Sequence, residues 1–239
     1  MIAGFIITGN ANKAVALRGL GPSLAAFGLS PVLADPVLEL RSSTSSLFTN
    51  DNWKDTQRSQ IEGTLFQPSD EHESVILATL APADYTAILS SKTGTPGIGL
   101  VEVYDNNPGV DSQLANISTR GLVQGANNVM IGGFILGGSQ TNARIAIRGR
   151  GPSLSKFGLK NVLADPTLEL RNANGTLMIA NDNWTDDPVS AGQLMANGLA
   201  LSDTKEAGIF TSLPAGQFTA ILAGKNGDGI GLVEIYNLK

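Results

Sequence analysis

Apolar and polar residues alternate with a period of two along much of the chain. Lys13–Gly19 reads KAVALRG, Ala143–Gly149 reads ARIAIRG and Pro36–Arg41 reads PVLELR. Tyr85–Ser91, Phe218–Gly224 and Gly99–Asp105 add β-branched and aromatic residues in the same rhythm. Successive side chains of an extended strand point to opposite faces, so each run lays one apolar face against a core. Gly, Pro, Asn and Asp bound these runs, and the pattern predicts many short antiparallel strands. NANGT at Asn172–Thr176 predicts a tight hairpin turn. Two short helical segments are also predicted. One is PSLAAFG at Pro22–Gly28, with proline in the first turn and Leu24 and Phe27 packing inward; the other is SAGQLMANGL at Ser190–Leu199.

The pattern is written twice. IAGFI at Ile2 returns as IGGFI at Ile131, and LADPVLELR at Leu33 returns as LADPTLELR at Leu163. NDNW recurs at Asn50 and Asn181, TAIL at Thr86 and Thr219, and GIGLVEVY at Gly97 returns as GIGLVEIY at Gly229. The expected architecture is all-β: two tandem homologous antiparallel β-sandwich modules, jelly-roll-like, with short helical turns. Module 1 is placed at residues 1–106, a linker at 107–113 and module 2 at 114–239. One asymmetry stands out. SQLANISTRGLVQGANNVM precedes the second module as an extra strand and turn, and nothing equivalent precedes the first. Either the start of module 1 has been trimmed, or module 1 has an unpaired sheet edge, and an open edge invites another chain to add a strand.

Composition narrows the chemistry. The net charge of −5 leaves no basic face for nucleic acid. There is no cysteine, so disulfides, thiolate chemistry and Cys-based zinc sites are excluded. No apolar run reaches the roughly 20 residues of a membrane span. MIAGFIITGN lacks the basic region and cleavage site of a signal peptide.

The most ligand-like stretch is RGLGPSLAAFGL at Arg18–Leu29, repeated as RGRGPSLSKFGL at Arg148–Leu159. A phosphate loop needs consecutive backbone N–H donors and a following Lys with Ser or Thr. Pro22 and Pro152 remove a donor and no such Lys follows, so the stretch reads as a structural corner. Ser23 and Ser153 lack a base: the sole histidine, His72, faces Lys205 in the other copy. The repeated carboxylates, among them Glu73 and Glu206, would serve a glycosidase only as close pairs in a cleft. Charge pairing explains the rest better. Arg18 with Glu102, Arg148 with Glu234, Glu39 with Arg41, and Glu169 with Arg171 are expected as ion pairs on strands.

NDNW is the loop with most chemistry. Asp51 and Asp182, with Asn50 and Asn181, offer the hard oxygen ligands that calcium favours. Asp55, Asp186 and Asp187 lie just downstream. The same residues also make turns through their own backbones. Trp53 and Trp184, flanked by Asn52 and Asn183, are candidates for stacking on sugar rings, or alternatively for covering one end of the core. No cofactor is implied beyond calcium, and no catalytic residues are assigned.

The run LANISTRGLVQGANNVMIGGFILGG, followed by AIRGRGPSLSKFGL, LADPTLELRNANGT, ANDNW and GLVEIY, resembles a repeat module common in large secreted bacterial proteins. TLELRNANGTLMIANDNW with LPAGQFTAILAG is also similar, more loosely, to bacterial pre-peptidase C-terminal domains. The resemblance implies an extracellular or cell-surface β module with an accessory, adhesive or structural role, and it offers no catalytic residues. The first functional expectation is a non-catalytic structural or assembly protein that associates with itself or with neighbouring modules by strand addition. The second is a polysaccharide-binding module that tethers a secreted enzyme.

Overall fold

A computed structural model describes residues 1–124, 128–137 and 142–238. Residues 125–127 of the joining segment lie outside the described residues. The chain is all-β and divides into two compact units, Met1–Ala115 and Asn116–Lys239. The strands of the first unit are β1 (Ile2–Gly9), β2 (Lys13–Leu20), β3 (Pro36–Arg41), β4 (Ser46–Asn50), β5 (Ser74–Leu80), β6 (Asp84–Ser91) and β7 (Leu100–Asp105). β8 (Ser112–Val123) starts in the first unit and runs into the second. The second unit continues with β9 (Met130–Leu136), β10 (Ala143–Arg150), β11 (Pro166–Asn172), β12 (Leu177–Asn181), β13 (Ala207–Leu213), β14 (Gly216–Gly224) and β15 (Gly229–Leu238).

Each unit is a two-sheet antiparallel sandwich. In the first, one sheet has the order β5-β2-β7 and the other contains β4-β3-β6-β1. In the second, β13-β10-β15 is extended by β8, and the opposing sheet is β12-β11-β14-β9. The copies agree strand for strand, down to a register shift at Leu40/Arg41 in β3 and at Leu170/Arg171 in β11. Alternation supplies the cores. Leu38 and Leu40 on β3 meet Leu17 of β2 and Phe5 of β1; Leu168 and Leu170 on β11 meet Ile145 and Ile147 of β10.

The residues expected as a linker, 107–113, fall within the first unit. Lys13 explains why they are held. Its buried ammonium donates to Asp105 Oδ2 at 2.9 Å and to the Asn107 carbonyl at 3.1 Å. Asn107 Oδ1 in turn accepts from Ala14 N at 2.8 Å. A lysine with no exposed surface requires such partners, because an unpaired buried charge is costly.

Both predicted helical segments form: a 3-10 turn at Pro22–Phe27, its copy at Pro152–Phe157, and a helix at Pro188–Ala196 (α2). Asp187 caps α2, accepting from Val189 N and Ser190 N. The counterpart of α2 in the first unit is the single turn Arg58–Ile61 (α1). One expectation fails. Leu24 is buried, but Phe27 is 81% exposed and Phe157 is 72% exposed. The turn stops at Gly28 and Gly158, which take φ of 78° and 80°, so no further helix carries the phenyl rings over the core.

Candidate functional site

The glycine-rich corner is held by a glutamate from the neighbouring strand. Glu73 lies immediately before β5 and has no exposed surface. Its Oε1 accepts from Gly21 N at 2.9 Å, Ser23 N at 3.0 Å and Ser23 Oγ at 2.6 Å. Glu206 repeats this in the second unit, accepting from Gly151 N at 3.1 Å, Ser153 N at 3.0 Å and Ser153 Oγ. The backbone donors that a phosphate loop would offer to a ligand are thus spent on the protein's own carboxyl group. Glycine is required beside them for space. A Cβ on Gly21 would lie 2.0 Å from the Leu33 carbonyl oxygen, and on Gly151 2.1 Å from that of Leu163. Ser23 and Ser153 are therefore donors to a buried carboxyl group, not nucleophiles with a base.

The same glutamates hold the NDNW loops. Trp53 N donates to the Glu73 carbonyl at 2.8 Å, and Trp184 N to the Glu206 carbonyl at 2.8 Å. Asn50 Oδ1 accepts from Val75 N at 2.8 Å while its amide donates to the Asn52 carbonyl at 2.9 Å. Asn181 does the same with Gly208 N at 2.7 Å and the Asn183 carbonyl at 3.0 Å. Asn52 donates to Asp55 Oδ2 and Asn183 to Asp186 Oδ2, closing each turn. The asparagines are thus engaged as turn and strand ties.

Asp51 and Asp182 each carry a cation, and it belongs to the chain. Lys92 pairs with Asp51 and lies 3.9 Å from Asp35; Lys225 pairs with Asp182. The hydrogen bond it donates to Asp51 holds the Lys92 ammonium above its ordinary pKa, and the one to Asp182 does the same for Lys225. Among the described residues, no group of three or more His, Asp or Glu side chains is placed to hold a metal ion.

Trp53 offers no sugar platform. It is 3% exposed and packs with Ile61 and Val75 in a small core of its own. Trp184 is half-buried. A shallow cleft of about 370 Å³ passes beside Trp53, lined by Lys54, Arg58, Glu62 and Glu71 among others. Those four charges pair with one another, Lys54 with Glu71 and Arg58 with Glu62.

The expected strand ion pairs are all present. Arg148 reaches Glu234 at 2.6 Å, Arg41 reaches Glu39 at 2.6 Å, and Arg171 reaches Glu169 at 2.6 Å. Arg18 lies 3.2 Å from Glu102. Arg148 also donates to Tyr236 Oη at 3.1 Å and stacks over its ring. Burial, then the Glu234 charge, raises the Tyr236 phenol; the same two causes raise Tyr104 beside Glu102. Arg150 is an addition of the second unit, donating to Ser153 Oγ where the first unit has Leu20.

The two copies differ most at one sheet edge. β15 is hydrogen-bonded on both sides, to β10 and to Asn116–Val123 of β8. Among the described residues its counterpart β7 pairs with β2 alone. Burial follows. Gly229, Gly231, Val233, Glu234 and Ile235 are buried, whereas Gly97 is exposed and Gly99, Val101, Glu102 and Val103 are only partly covered. The opposing sheets differ in the reverse sense. β1 has β8 beyond it, but among the described residues β9 ends its sheet, with Ile131 57% and Ile135 69% exposed.

No family model matches the chain. No curated protein matches it. Among solved structures it is similar to the major capsid protein P2 of bacteriophage PM2, at 10% identity and a TM-score of 0.28, covering 100% of this chain and 92% of that one. It is also similar to a chain from Sulfolobus Turreted Icosahedral Virus, at 10% identity and a TM-score of 0.29, covering 99% of this chain and 88% of that one. These superpositions lie below the level that identifies a shared fold, and the architecture rests on the strand pairing itself.

Proposed function

We propose that this chain is a non-catalytic structural module that associates with further β modules by strand addition, outside the cell. The observation that carries the reading is the pair of sheet edges, β7 and β9, that among the described residues lack the neighbour their own counterparts possess. An unpaired edge presents a row of N–H and C=O groups, and proteins that stay monomeric blunt such edges with charge, proline or bulges. β9 carries instead two exposed isoleucines. The groups that drew attention as catalytic or ligand-binding, namely Glu73, Glu206, Asp51, Asp182 and the NDNW asparagines, are engaged in holding turns and corners.

Light scattering across a hundredfold range of protein concentration, with negative-stain microscopy of the same samples, tests the reading. Mass that rises with concentration, and chains of regularly spaced particles, are expected. A constant monomer mass over the whole range overturns it.

A further inference from the structure

We infer that the open edge of β7 is a binding site for one antiparallel strand, supplied from outside residues 1–239, with the side-chain pattern of Asn116–Val123. This inference deepens the assembly reading and names the partner that one of its edges takes. β7 and β15 carry nearly the same sequence, GLVEVY and GLVEIY, on equivalent strands beside equivalent partners, β2 and β10. In the second unit the outer side of that strand is filled. Leu232 faces Arg120, Val233 faces Thr119, Glu234 faces Ser118 and Ile235 faces Ile117. In the first unit the same positions, Leu100 to Val103, face no strand among the described residues.

The occupant's chemistry follows from what β8 contributes. Its residues alternate between faces. Ile117 packs against the core of the second unit and Val123 is wholly buried in it, with Thr119 and Gly121 between them on the same face. The other face carries Asn116, Ser118 and Arg120, with Leu122 58% exposed. A strand suited to β7 therefore has aliphatic residues at the two ends of its inner face, small residues between them and polar residues outside. It places serine opposite Glu102, as Ser118 stands opposite Glu234. β8 itself is engaged on β15, so the strand must come from elsewhere than this chain's own Asn116–Val123. β-strand addition of this kind draws affinity from the backbone ladder and specificity from the alternate side chains.

The test exploits the absence of cysteine from the chain. A synthetic peptide, QLANISTRGLVQ, is made with Arg120→Cys and offered to the full-length protein carrying Leu100→Cys, with a short thiol-to-thiol crosslinker. Leu100 is 38% exposed, so the substitution leaves the core intact. Directly opposite residues bring their Cβ atoms to about 5 Å, whereas a shift of one residue turns the side chain to the other face. The expected result is crosslinking at least tenfold faster than with the Thr119→Cys peptide, and at least tenfold faster than at Leu232→Cys, where β8 occupies the edge. Crosslinking no faster than with a scrambled peptide overturns the inference. So does equal reaction at Leu100 and Leu232, which would mean exchange of β8, or equal reaction of the two peptides, which would mean no fixed register. The two readings fail separately. Specific crosslinking on a chain that stays monomeric by itself leaves the strand site standing without the assembly, and an assembling chain without crosslinking does the reverse.

Discussion

Replacing Glu206 by alanine removes one acceptor from three buried donors at once. Gly151 N, Ser153 N and Ser153 Oγ all point at Oε1, and all three bonds are buried. Leaving a buried donor unpaired costs about 1–3 kcal/mol. Turning the hydroxyl toward Arg150 brings no relief, because the guanidinium has no acceptor and itself donates to Ser153 Oγ. The two amides cannot turn, because Gly151 is pressed against the Leu163 carbonyl and Pro152 fixes the chain between them. The expected loss is about 3–5 kcal/mol, the range for breaking a buried polar network. Against a domain stability of about 5–15 kcal/mol this is severe. Glu206→Gln keeps an acceptor in place and is expected to lose less than half as much. Urea denaturation followed by Trp184 fluorescence, in a Trp53→Phe background, reports the second unit. At a slope of about 2 kcal/mol per molar, the alanine midpoint falls by roughly 2 M. A loss below about 1 kcal/mol for the alanine variant would refute the claim that this carboxyl group holds the corner.

Trp53→Ala is expected to cost about 3–5 kcal/mol, as for other large buried aromatics, whereas the same change at the half-buried Trp184 costs less; paired thermal melts of the two variants decide it. The three tyrosines, Tyr85, Tyr104 and Tyr236, all have raised phenol pKa values, with burial the largest cause in each. A raised folded pKa means the native state holds the proton more tightly, so this contribution to stability is complete below the unfolded phenol value of about 10 and is lost as pH rises through the folded values. Tyrosinate absorbance of the folded protein should therefore appear above pH 10 and return to about 10 in concentrated guanidinium; a folded-state midpoint at or below 10 would contradict it.

The strands were legible because period-two alternation is imposed locally, by the pleat and a half-buried face. KAVALRG and PVLELR carry it in full, and the Glu39–Arg41 pair followed from a spacing of two. Position along the sequence says less about where an element stops. Phe27 has an apolar side chain in a helical segment, yet Gly28 ends the turn before that ring can reach the sheet. Glu73 and Glu206 look like any repeated acidic pair, because the donors they satisfy lie some fifty residues away and meet them only through the pairing of β2 with β5 and β10 with β13. Their signal was the neighbour that changes. His72 becomes Lys205 while the glutamate beside it stays. Trp53 beside Asn and Asp left open a sugar-stacking ring or one covering the core; its backbone N–H is tied to Glu73 and the indole is drawn under the loop, packed on Ile61 and Val75. The extra strand before the second module was visible as an asymmetry between copies, and the structure assigns its residues Asn116–Val123 to β15.

Hydrogen exchange at residues 100–104 and 232–236, measured at low and high protein concentration, tests the central claim most directly. The β15 amides, already paired on both sides, should be protected at both concentrations. The β7 amides that face outward should exchange fast in dilute protein and gain protection as chains associate. Equal protection of the two strands in dilute protein, or β7 protection that never changes while the mass rises, would contradict an open edge that assembly closes.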